Sequence, residues 1–509
     1  MRKPRSAKSP RERPAVVLIG SEAVPFAKSG GLADVLGSLP LALDRLGWST
    51  TLIVPHYRGV IGGELVDRFP VTCGGYTREF AFFSVPLGGE ARAVLVDCPD
   101  LFERDDYYSS NGHDYPDNAR RFAMLVRAAL EFTARHGGRP SVVHAHDWHA
   151  GLAPVYLNTL YASHPVLGGT PSVLTIHNLA YQGLFEPDWL PRLDLPWGLL
   201  TVDGLEFWGR ISFLKGGINY ADLITTVSPQ YAKEVQTPDM GFGFDGILRQ
   251  RSADLVGIRN GIDTRVWDPL HDSFLPAPFD GRDLGGKVVA KRALLMRYGM
   301  TVHEATLSRP LIAMVSRMIY QKGFDLVAAI ADAIPRFNAT WIVLGTGEDR
   351  YQRMWTDLAA RHPDRIGARI TFSEEMAHLI EGGADMFLMP SKFEPCGLNQ
   401  MYSLRYGTVP IVHAVGGLVD TVHDADPGDP ESTGFIFREY TPAALLAALE
   451  RALTVFADRG RWRTLQLTGM RQDNSWDRSA REYVKIYERV AKVRGSSPGA
   501  TQRVHNGPG

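Results

Sequence analysis

The apolar residues of this chain fall into short continuous runs, separated by stretches with the spacing of amphipathic helices. Residues 16–19 and 51–54 form two such runs, and residues 32–46 between them carry apolar side chains at helical spacing before Gly47. Similar runs follow at residues 142–145, 172–176 and 223–227. Continuous aliphatic and β-branched runs between helices are typical of parallel strands that helices cover on both faces.

The alternation is interrupted around residues 260–290, where Asp, Pro and Gly cluster and predict a linker. It then resumes, with apolar runs at residues 311–315, 340–344, 386–389 and 409–412. We therefore predict an α/β protein of two doubly wound, Rossmann-like domains that face each other across a cleft. Because ligands bind beyond the carboxyl ends of the strands in such sheets, the cleft is the expected site.

The predicted division has five parts. Residues 14–256 form the N-terminal domain, and residues 257–475 form the C-terminal domain. A helix at residues 476–493 follows. The basic residues 1–13 and the Ser-, Gly- and Pro-rich residues 494–509 predict disordered tails. For the first of these tails, an anion-binding arm is the alternative.

Composition narrows the class of protein. A chain of 509 residues exceeds what one hydrophobic core serves. With 55 basic and 56 acidic residues, the net charge of −1 does not favour nucleic acid or a membrane as a partner. No apolar run approaches the ~18 residues that a membrane span requires. Three cysteines without metal-binding spacing indicate a reducing, cytoplasmic location.

The segment Lys28-Ser29-Gly30-Gly31 follows the first predicted strand and opens a helix. Free amides and partial positive charge at a helix N-terminus bind phosphate, and paired glycines let the backbone approach a ligand closely. Lys28 adds a full charge. The alternative is a plain glycine turn, because the segment matches neither the P-loop nor the Rossmann fingerprint.

Polar side chains end two other strands of the first half. Three histidines and an aspartate lie between His144 and His149, a pattern that allows a zinc site, but no second cluster of ligands supports one. We favour sugar binding instead, with Asp147 accepting hydroxyl hydrogens and Trp148 offering a flat apolar face. His177 and Asn178 end the next strand at the same sheet edge.

In the second half, Arg317 and Lys322 follow a strand directly and are candidates for binding phosphate. Gly345 lies in a loop of small residues after the next strand. Glu394 precedes Pro395, which fits the first turn of a helix whose amides would face the ligand. The Cys396 thiol has no histidine partner in the sequence pattern, so we interpret it as a buried or neighbouring thiol and not as a nucleophile.

Together these segments resemble the bacterial glycogen synthase and plant starch synthase family, which uses ADP-glucose. The matching segments are residues 28–35, 144–152, 175–183, 260–263, 316–323, 394–398 and 406–410. The resemblance implies a glycosyltransferase-B fold and retaining transfer of α-D-glucosyl from ADP-glucose to the non-reducing end of an α-1,4-glucan such as glycogen, releasing ADP. It implies no cofactor and no metal. It also implies that the N-terminal domain is the catalytic, acceptor side and the C-terminal domain the nucleotide-sugar side, and that the helix near the end packs back on the first domain.

Motifs and resemblance together identify the candidate residues. Those expected to be catalytic are Glu394, Lys322, Arg317, His177 and Asp147. Those expected to bind substrate are Lys28, Gly30, Gly31, Asp34, Tyr115, Asn178, Asn260, Gly345, Phe372, Cys396, Gly397 and Leu398. Phe372 stands where family members often have a tyrosine thought to stack on adenine, so the ring is kept and the hydroxyl is lost.

Two other functions remain open at this stage. One is a transferase of the same fold that uses UDP-glucose, because the Phe372 ring does not choose between adenine and uracil. The other is a non-catalytic glucan-binding protein. The presence of Lys28, Arg317, Lys322 and Glu394 disfavours the second alternative, because such a protein has no use for them.

Overall fold

The computed structural model describes residues 13–110, 112–426 and 428–495, which form two compact units. Unit 1 contains the described residues up to Thr226, Val235–Ile258 and the segment from Trp476, and unit 2 contains Val227–Glu234 and Arg259–Ser475. The predicted tails lie largely outside the described residues. The residues of the two tails that adjoin the domains are described: Arg13 pairs with Asp44, and Arg494 lies in a helix. No helix among the described residues is long and apolar enough to span a membrane.

Unit 1 is built on a nine-stranded sheet. The strands of the unit are β1 (Ala15–Ile19), β2 (Ser49–Pro55), β3 (Glu64–Cys73), β4 (Tyr76–Gly88), β5 (Ala91–Asp97), β6 (Ser109–Ser110), β7 (His113–Asp114), β8 (Val142–His146), β9 (Ser172–Ile176), β10 (Leu184–Phe185), β11 (Glu206–Phe207), β12 (Arg210–Ser212), β13 (Leu223–Thr226) and β14 (Leu255–Gly257). The order in the large sheet is β14-β13-β9-β8-β1-β2-β5-β4-β3. All pairs from β14 to β5 are parallel, whereas β3 and β4 form an antiparallel extension that the apolar pattern did not predict.

Helices cover this sheet. The first nine helices of the described residues are α1 (Gly31–Arg45), α2 (Pro99–Phe102), α3 (Asn118–His136), α4 (Asp147–Ala150), α5 (Leu152–Asn158), α6 (Trp189–Arg192), α7 (Phe213–Tyr220), α8 (Pro229–Glu234) and α9 (Asp245–Gln250). They belong to unit 1, except α8, which is part of unit 2. The predicted helix at residues 32–46 is confirmed as α1, whose Leu36 and Leu39 pack on the sheet. The division differs from the predicted one at α8, because Ser228 donates a hydrogen bond to the Pro395 carbonyl (2.7 Å) within unit 2.

Unit 2 holds a six-stranded parallel sheet. Its strands are β15 (Leu311–Val315), β16 (Thr340–Leu344), β17 (Ile366–Arg369), β18 (Met386–Met389), β19 (Val409–His413) and β20 (Phe435–Phe437). Its order is β17-β16-β15-β18-β19-β20, which is the 3-2-1-4-5-6 order of the Rossmann fold. The strand order reverses between β15 and β18. In unit 1 the corresponding reversal falls between β1 and β8.

The helices of unit 2 lie on both faces of its sheet. They are α10 (Gly285–Arg297), α11 (Glu304–Ser308), α12 (Phe324–Ala329), α13 (Asp349–Arg361), α14 (Glu374–Gly383), α15 (Asn399–Arg405), α16 (Gly416–Thr421), α17 (Pro442–Ala457) and α18 (Arg459–Arg471). Alternate residues of β15 enter two different cores: Ile312 and Met314 pack in one, and Leu311 and Ala313 in the other. A strand buried on both faces explains why its sequence is a continuous apolar run.

The last helix, α19 (Trp476–Gly495), packs in the core of unit 1. Its Tyr487 hydroxyl lies 2.8 Å from Nδ1 of His144 on strand β8. Arg494 in the last turn pairs with Asp222 at 2.8 Å, so the helix continues past residue 493, where the sequence predicted its end.

Candidate functional site

In unit 1, the loop after β1 is organised by the buried carboxylate of Glu22. Its Oε1 accepts a hydrogen bond from the Ser29 hydroxyl (2.6 Å) and one from the Tyr108 hydroxyl. Its Oε2 accepts the backbone amides of Ser29 and Gly30, the second at 3.3 Å. The Gly30 amide, which the sequence suggested for phosphate binding, is therefore occupied. Gly31 begins α1, so its amide is among the helix-end donors that lack an intrahelical acceptor.

The cation of this loop is also partnered. The Lys28 ammonium lies 2.7 Å from Oδ1 of Asp34, one turn into α1. Both side chains are solvent-accessible, so the pair costs little to open. Lys28 and Asp34, predicted separately as substrate-binding residues, thus form an ion pair at the N-terminus of the helix.

The polar side chains that end β8 and β9 form a buried network. The His177 and Asn178 backbone amides both donate to Oδ1 of Asp147, at 2.7 and 3.4 Å. Nδ1 of His146 lies 2.9 Å from Nε2 of His177. His144 bonds Tyr487 and Thr175 instead, at 2.8 and 2.6 Å. Asp147 therefore fixes the backbone at His177, while His146 fixes the ring.

Burial sets the charge of these groups. It raises the pKa of the Asp147 carboxyl to about 7, against the lowering effect of the two amides that it accepts. Burial lowers the pKa of His177 to about 3 and that of His144 to about 3. The His177 imidazole is thus neutral at neutral pH and is suited to hydrogen bonding with a hydroxyl group. Among the residues that the structure describes, no group of His, Cys, Asp or Glu is arranged to hold a metal ion.

Trp148 does not present a sugar-binding face. It is buried, with the rings of His149 and Phe122 centred 4.0 and 4.9 Å from its own. The expectation that it stacks on a pyranose ring is therefore wrong, because its ring packs between its neighbour His149 on α4 and Phe122 on α3. Tyr115 is half-buried instead, and the guanidinium of Arg104 lies 4.5 Å from its ring centre.

In unit 2, one ion pair joins two of the predicted catalytic residues. The Lys322 ammonium lies 2.6 Å from Oε2 of Glu394, and the Ser391 hydroxyl donates to the same oxygen at 2.9 Å. Glu394 is only 5% exposed. The two donors hold one oxygen of the carboxylate and leave the other, Oε1, for a further partner. Lys322 follows β15 and Glu394 follows β18, so they meet where the strand order reverses.

Arg317 lies on the same loop as Lys322. Its guanidinium is exposed, and among the described residues it makes no ion pair and no side-chain hydrogen bond. An unpaired arginine beside the reversal point of a Rossmann sheet is available to an anionic ligand.

Two glycines let the loops of unit 2 pass close to one another. Gly345 follows β16, and a Cβ there would lie 1.9 Å from the Ser316 carbonyl oxygen. Gly323 follows Lys322 with a φ of 77°, and a Cβ there would lie 2.0 Å from the Pro390 carbonyl oxygen. No side chain fits at either position, so both glycines keep the β15 loop in its place.

The segment after Glu394 differs from the prediction in one respect. Helix α15 begins at Asn399, so Pro395 is not in its first turn, and Cys396, Gly397 and Leu398 form a loop. The expected helix N-terminus at Pro395 is therefore wrong, because Gly397 has a φ of 71° that a helix does not accommodate. Burial raises the pKa of the Cys396 thiol to about 12, which makes it a poor nucleophile.

Two other predicted residues of unit 2 have contrasting environments. Asn260 is buried, and its Oδ1 has no hydrogen-bond partner among the described residues. Phe372 is 81% exposed in the segment between β17 and α14. A buried unpaired amide oxygen and an exposed flat ring are both features that a polar, aromatic ligand satisfies.

Sequence reasoning missed two residues that hold the predicted ones. Glu22 organises the 28–31 loop and Ser391 holds Glu394. Both residues lie near motif residues in the sequence, but their spacing does not indicate a functional role. Both act through hydrogen bonds that exist only once the loops have folded.

Comparison with known proteins identifies the family of the chain. Residues 15–250 match the family model described as starch synthase catalytic domain, and residues 301–463 match the one described as glycosyl transferases group 1. With two Rossmann-like sheets and an arginine, a lysine and a glutamate around one strand reversal, the chain is a glycosyltransferase of the GT-B fold. It belongs to the glycogen synthase and starch synthase family.

The relatives that support this assignment match over nearly the whole chain. The glycogen synthase of Anaeromyxobacter dehalogenans (strain 2CP-C) is 47% identical over 94% of this chain and 99% of its own length. The glycogen synthase of Koribacter versatilis is 43% identical over 95% and 99%. The solved catalytic domain of starch synthase IV from Arabidopsis thaliana, bound to ADP and acarbose, is 31% identical with a TM-score of 0.87, covering 94% of this chain and 99% of that one.

Proposed function

We propose that this chain is a glycogen synthase that transfers α-D-glucosyl from ADP-glucose to the non-reducing end of an α-1,4-glucan and releases ADP. The observation that carries the proposal is the meeting of Lys322 and Glu394, beside the unpaired Arg317, where the strand order of unit 2 reverses. The relatives named glycogen synthase support glycogen as the acceptor, and the starch synthase IV structure bound to ADP supports an adenine nucleotide in the donor.

The leaving group determines which side chains the reaction needs. Breaking the bond between the anomeric carbon and the donor phosphate places negative charge on the diphosphate. Fixed cations stabilise that charge without transferring a proton. Arg317 and Lys322 are proposed for this role in unit 2, with Lys28 and the Gly31 amide in unit 1. Lys322 would contact the diphosphate while it keeps its bond to Glu394.

Retention of the α configuration follows from attack on the face from which the diphosphate leaves. The 4-hydroxyl oxygen of the acceptor forms the new bond to the anomeric carbon as the bond to phosphate breaks, and its proton passes to a departing phosphate oxygen. Glu394 would orient the glucosyl unit through its available Oε1 and balance the positive charge that develops on the sugar. A short-lived covalent adduct of Glu394 is the alternative course.

In unit 1, His177 is the proposed contact for a sugar hydroxyl. Because its pKa lies at about 3, it would bind as a neutral imidazole and would not supply a proton. Asp147 is proposed to act through His177, since its carboxylate accepts the His177 amide at 2.7 Å. Asn178 and Tyr115 are proposed to contribute further hydroxyl contacts.

Phe372 is the proposed platform for the nucleotide base. Its ring is exposed and is suited to stacking on adenine, but stacking alone would also accept uracil. A UDP-glucose-using transferase is therefore the second candidate. A cytoplasmic location is part of the proposal, supported by the three cysteines, all of them free thiols.

The test is incorporation of labelled glucose into glycogen, with ADP-glucose and UDP-glucose in parallel. Incorporation from ADP-glucose alone is expected, and preference for UDP-glucose would overturn the base assignment. Arg317→Ala is expected to lower the rate about 10²–10³-fold. Arg336→Ala is the matched control, because Arg336 is also exposed but lies on the 3₁₀ turn between α12 and β16. A near-normal rate for Arg317→Ala would refute the proposed role of Arg317.

A further inference from the structure

Three aromatic side chains of unit 1 are exposed near one another. Trp208 is 82% exposed, Tyr181 is 53% exposed and Phe242 is 38% exposed. We call these three residues the aromatic platform. Large aromatic side chains are normally half-buried or more, and grouped exposed rings usually mark a binding surface.

Contacts between three segments hold the platform together. A Cβ on Gly243, next to Phe242, would lie 3.5 Å from Nε1 of Trp208. The side-chain amide of Gln182, next to Tyr181, donates to the Phe242 carbonyl at 2.8 Å. Below them, the rings of Phe207 and Phe244 are centred 4.4 Å apart and anchor the two loops to each other.

Two of the platform residues have a backbone conformation that their side chains disfavour. Trp208 has a φ of 52° and Phe242 a φ of 49°. Trp208 and Gly209 form the two-residue turn between β11 and β12, where Asn or Gly is usual. A bulky residue in the left-handed region is strained, and such strain clusters at functional sites. The turn therefore presents an indole ring to solvent at the expense of stability.

The platform adjoins the polar network that ends β9. The Tyr181 amide donates to the carbonyl of Asn178 at 3.2 Å, so Tyr181 closes the turn that begins at the proposed hydroxyl-binding pair His177 and Asn178. Tyr181 follows His177 by four residues, so the platform lies next to the proposed hydroxyl-binding pair on unit 1. A polymer whose end binds at His177 can therefore extend onto the platform.

We propose that the aromatic platform binds the α-1,4-glucan acceptor several glucose units away from its reacting end. The proposal rests on the proposed function for the identity of the polymer. The C–H faces of successive pyranose rings are flat and apolar, while the edges of these sugar rings carry hydroxyls. Uncharged aromatic side chains are therefore suited to stacking on the sugar faces. With Trp148 enclosed in the core, Trp208 provides an accessible indole for this role.

The first test is native electrophoresis in gels that contain glycogen, without nucleotide. The Trp208→Asn variant is the main one, because asparagine suits the turn and folding is preserved. We expect it to weaken retardation by glycogen about five- to twentyfold, Tyr181→Ala to weaken it similarly, and Trp208→Phe to restore most of it. Ile61→Ala is the control, since Ile61 is 95% exposed on unit 1 between β2 and β3.

The second test compares transfer to glycogen with transfer to maltotriose. Trp208→Asn is expected to raise KM for glycogen more than KM for the short acceptor, which cannot reach the platform. Retardation that does not depend on Trp208, or a dimer that Trp208→Asn dissociates, would overturn the proposal. A different outcome is possible in which glycogen retards the protein through Trp208 but the protein transfers no glucose. That result would support the platform as a glucan-binding site and refute the proposed enzymatic function.

Discussion

Removal of the Lys322 ammonium separates the structural role of the Lys322–Glu394 pair from its chemical role. In Lys322→Ala, the Glu394 carboxylate keeps only the Ser391 hydroxyl as a donor, although it remains 5% exposed. A buried carboxylate that loses its cation is destabilised, because no other charge replaces the lost partner.

The magnitude follows from the burial of the two groups. Loss of one partner of a fully buried ion pair costs about 3–5 kcal/mol. The Lys322 side chain keeps 21% of its surface exposed, so water partly enters the space that it leaves. We therefore expect a decrease of about 2–3 kcal/mol in the free energy of unfolding of unit 2. The transfer rate should fall more, about 10²–10³-fold, because the leaving group also loses a cation.

A double-mutant cycle distinguishes these effects. Glu394→Gln removes the charge, so the double variant Lys322→Ala/Glu394→Gln should regain most of the lost stability in urea unfolding while it stays inactive. Arg336→Ala provides the baseline for loss of an exposed cation. A stability change below about 0.5 kcal/mol for Lys322→Ala, or single-variant effects that simply add, would refute the argument that the pair is coupled and buried.

Three further predictions concern other parts of the site. Glu22→Gln should lower kcat/KM about tenfold, measured by initial rates, because an amide cannot accept hydrogen bonds on both sides and the 28–31 loop loosens; unchanged kinetics would contradict this role. Phe372→Ala should raise KM for ADP-glucose about tenfold and Phe372→Tyr should not, which a donor titration would check. The melting temperature should fall between pH 6.5 and 4.5, because His144 and His177 have folded-state pKa values of about 3, below their ordinary 6.5, so acid protonates the unfolded chain first. Asp147 and Glu381, whose pKa values are raised to about 7 and about 8, oppose this slope. Burial also lowers the pKa values of His146, His149 and His413, which act in the same direction as His144 and His177, so the net slope keeps its sign and His144→Gln should flatten it.

Much of the fold could be predicted because parallel strands buried on both faces have a simple signature. The predicted runs at residues 172–176, 311–315 and 340–344 coincide with β9, β15 and β16. The antiparallel strands β3 and β4 escaped detection. In β3 buried and exposed residues alternate, whereas β4 was missed although residues 80–83 form a continuous apolar run. The signature was therefore recognised in parallel strands and not in the antiparallel extension.

The site was less predictable than the fold. Charged residues that end strands stand out in sequence, and Arg317, Lys322 and Glu394 were found in that way. Glu22 and Ser391 were missed because their importance lies in which donor or acceptor they meet, and that depends on how loops from different strands cross. The position of α15 was wrong for a related reason: Pro395 is compatible with a helix start, but the left-handed Gly397 postpones it.

The topology explains why the chemistry-bearing residues occur where they do. In unit 2 the loops after β15 and β18 diverge because their helices cross to opposite faces of the sheet, and the space between them receives Lys322 and Glu394. In unit 1 the same reversal lies between β1 and β8, whose following loops carry Glu22 and Asp147. In each unit the two loops therefore leave a space between them, and paired or buried polar side chains line that space. Such side chains cost stability unless a ligand binds to them. Substitutions that line these two spaces should therefore affect transfer more than substitutions on the exposed helix surfaces.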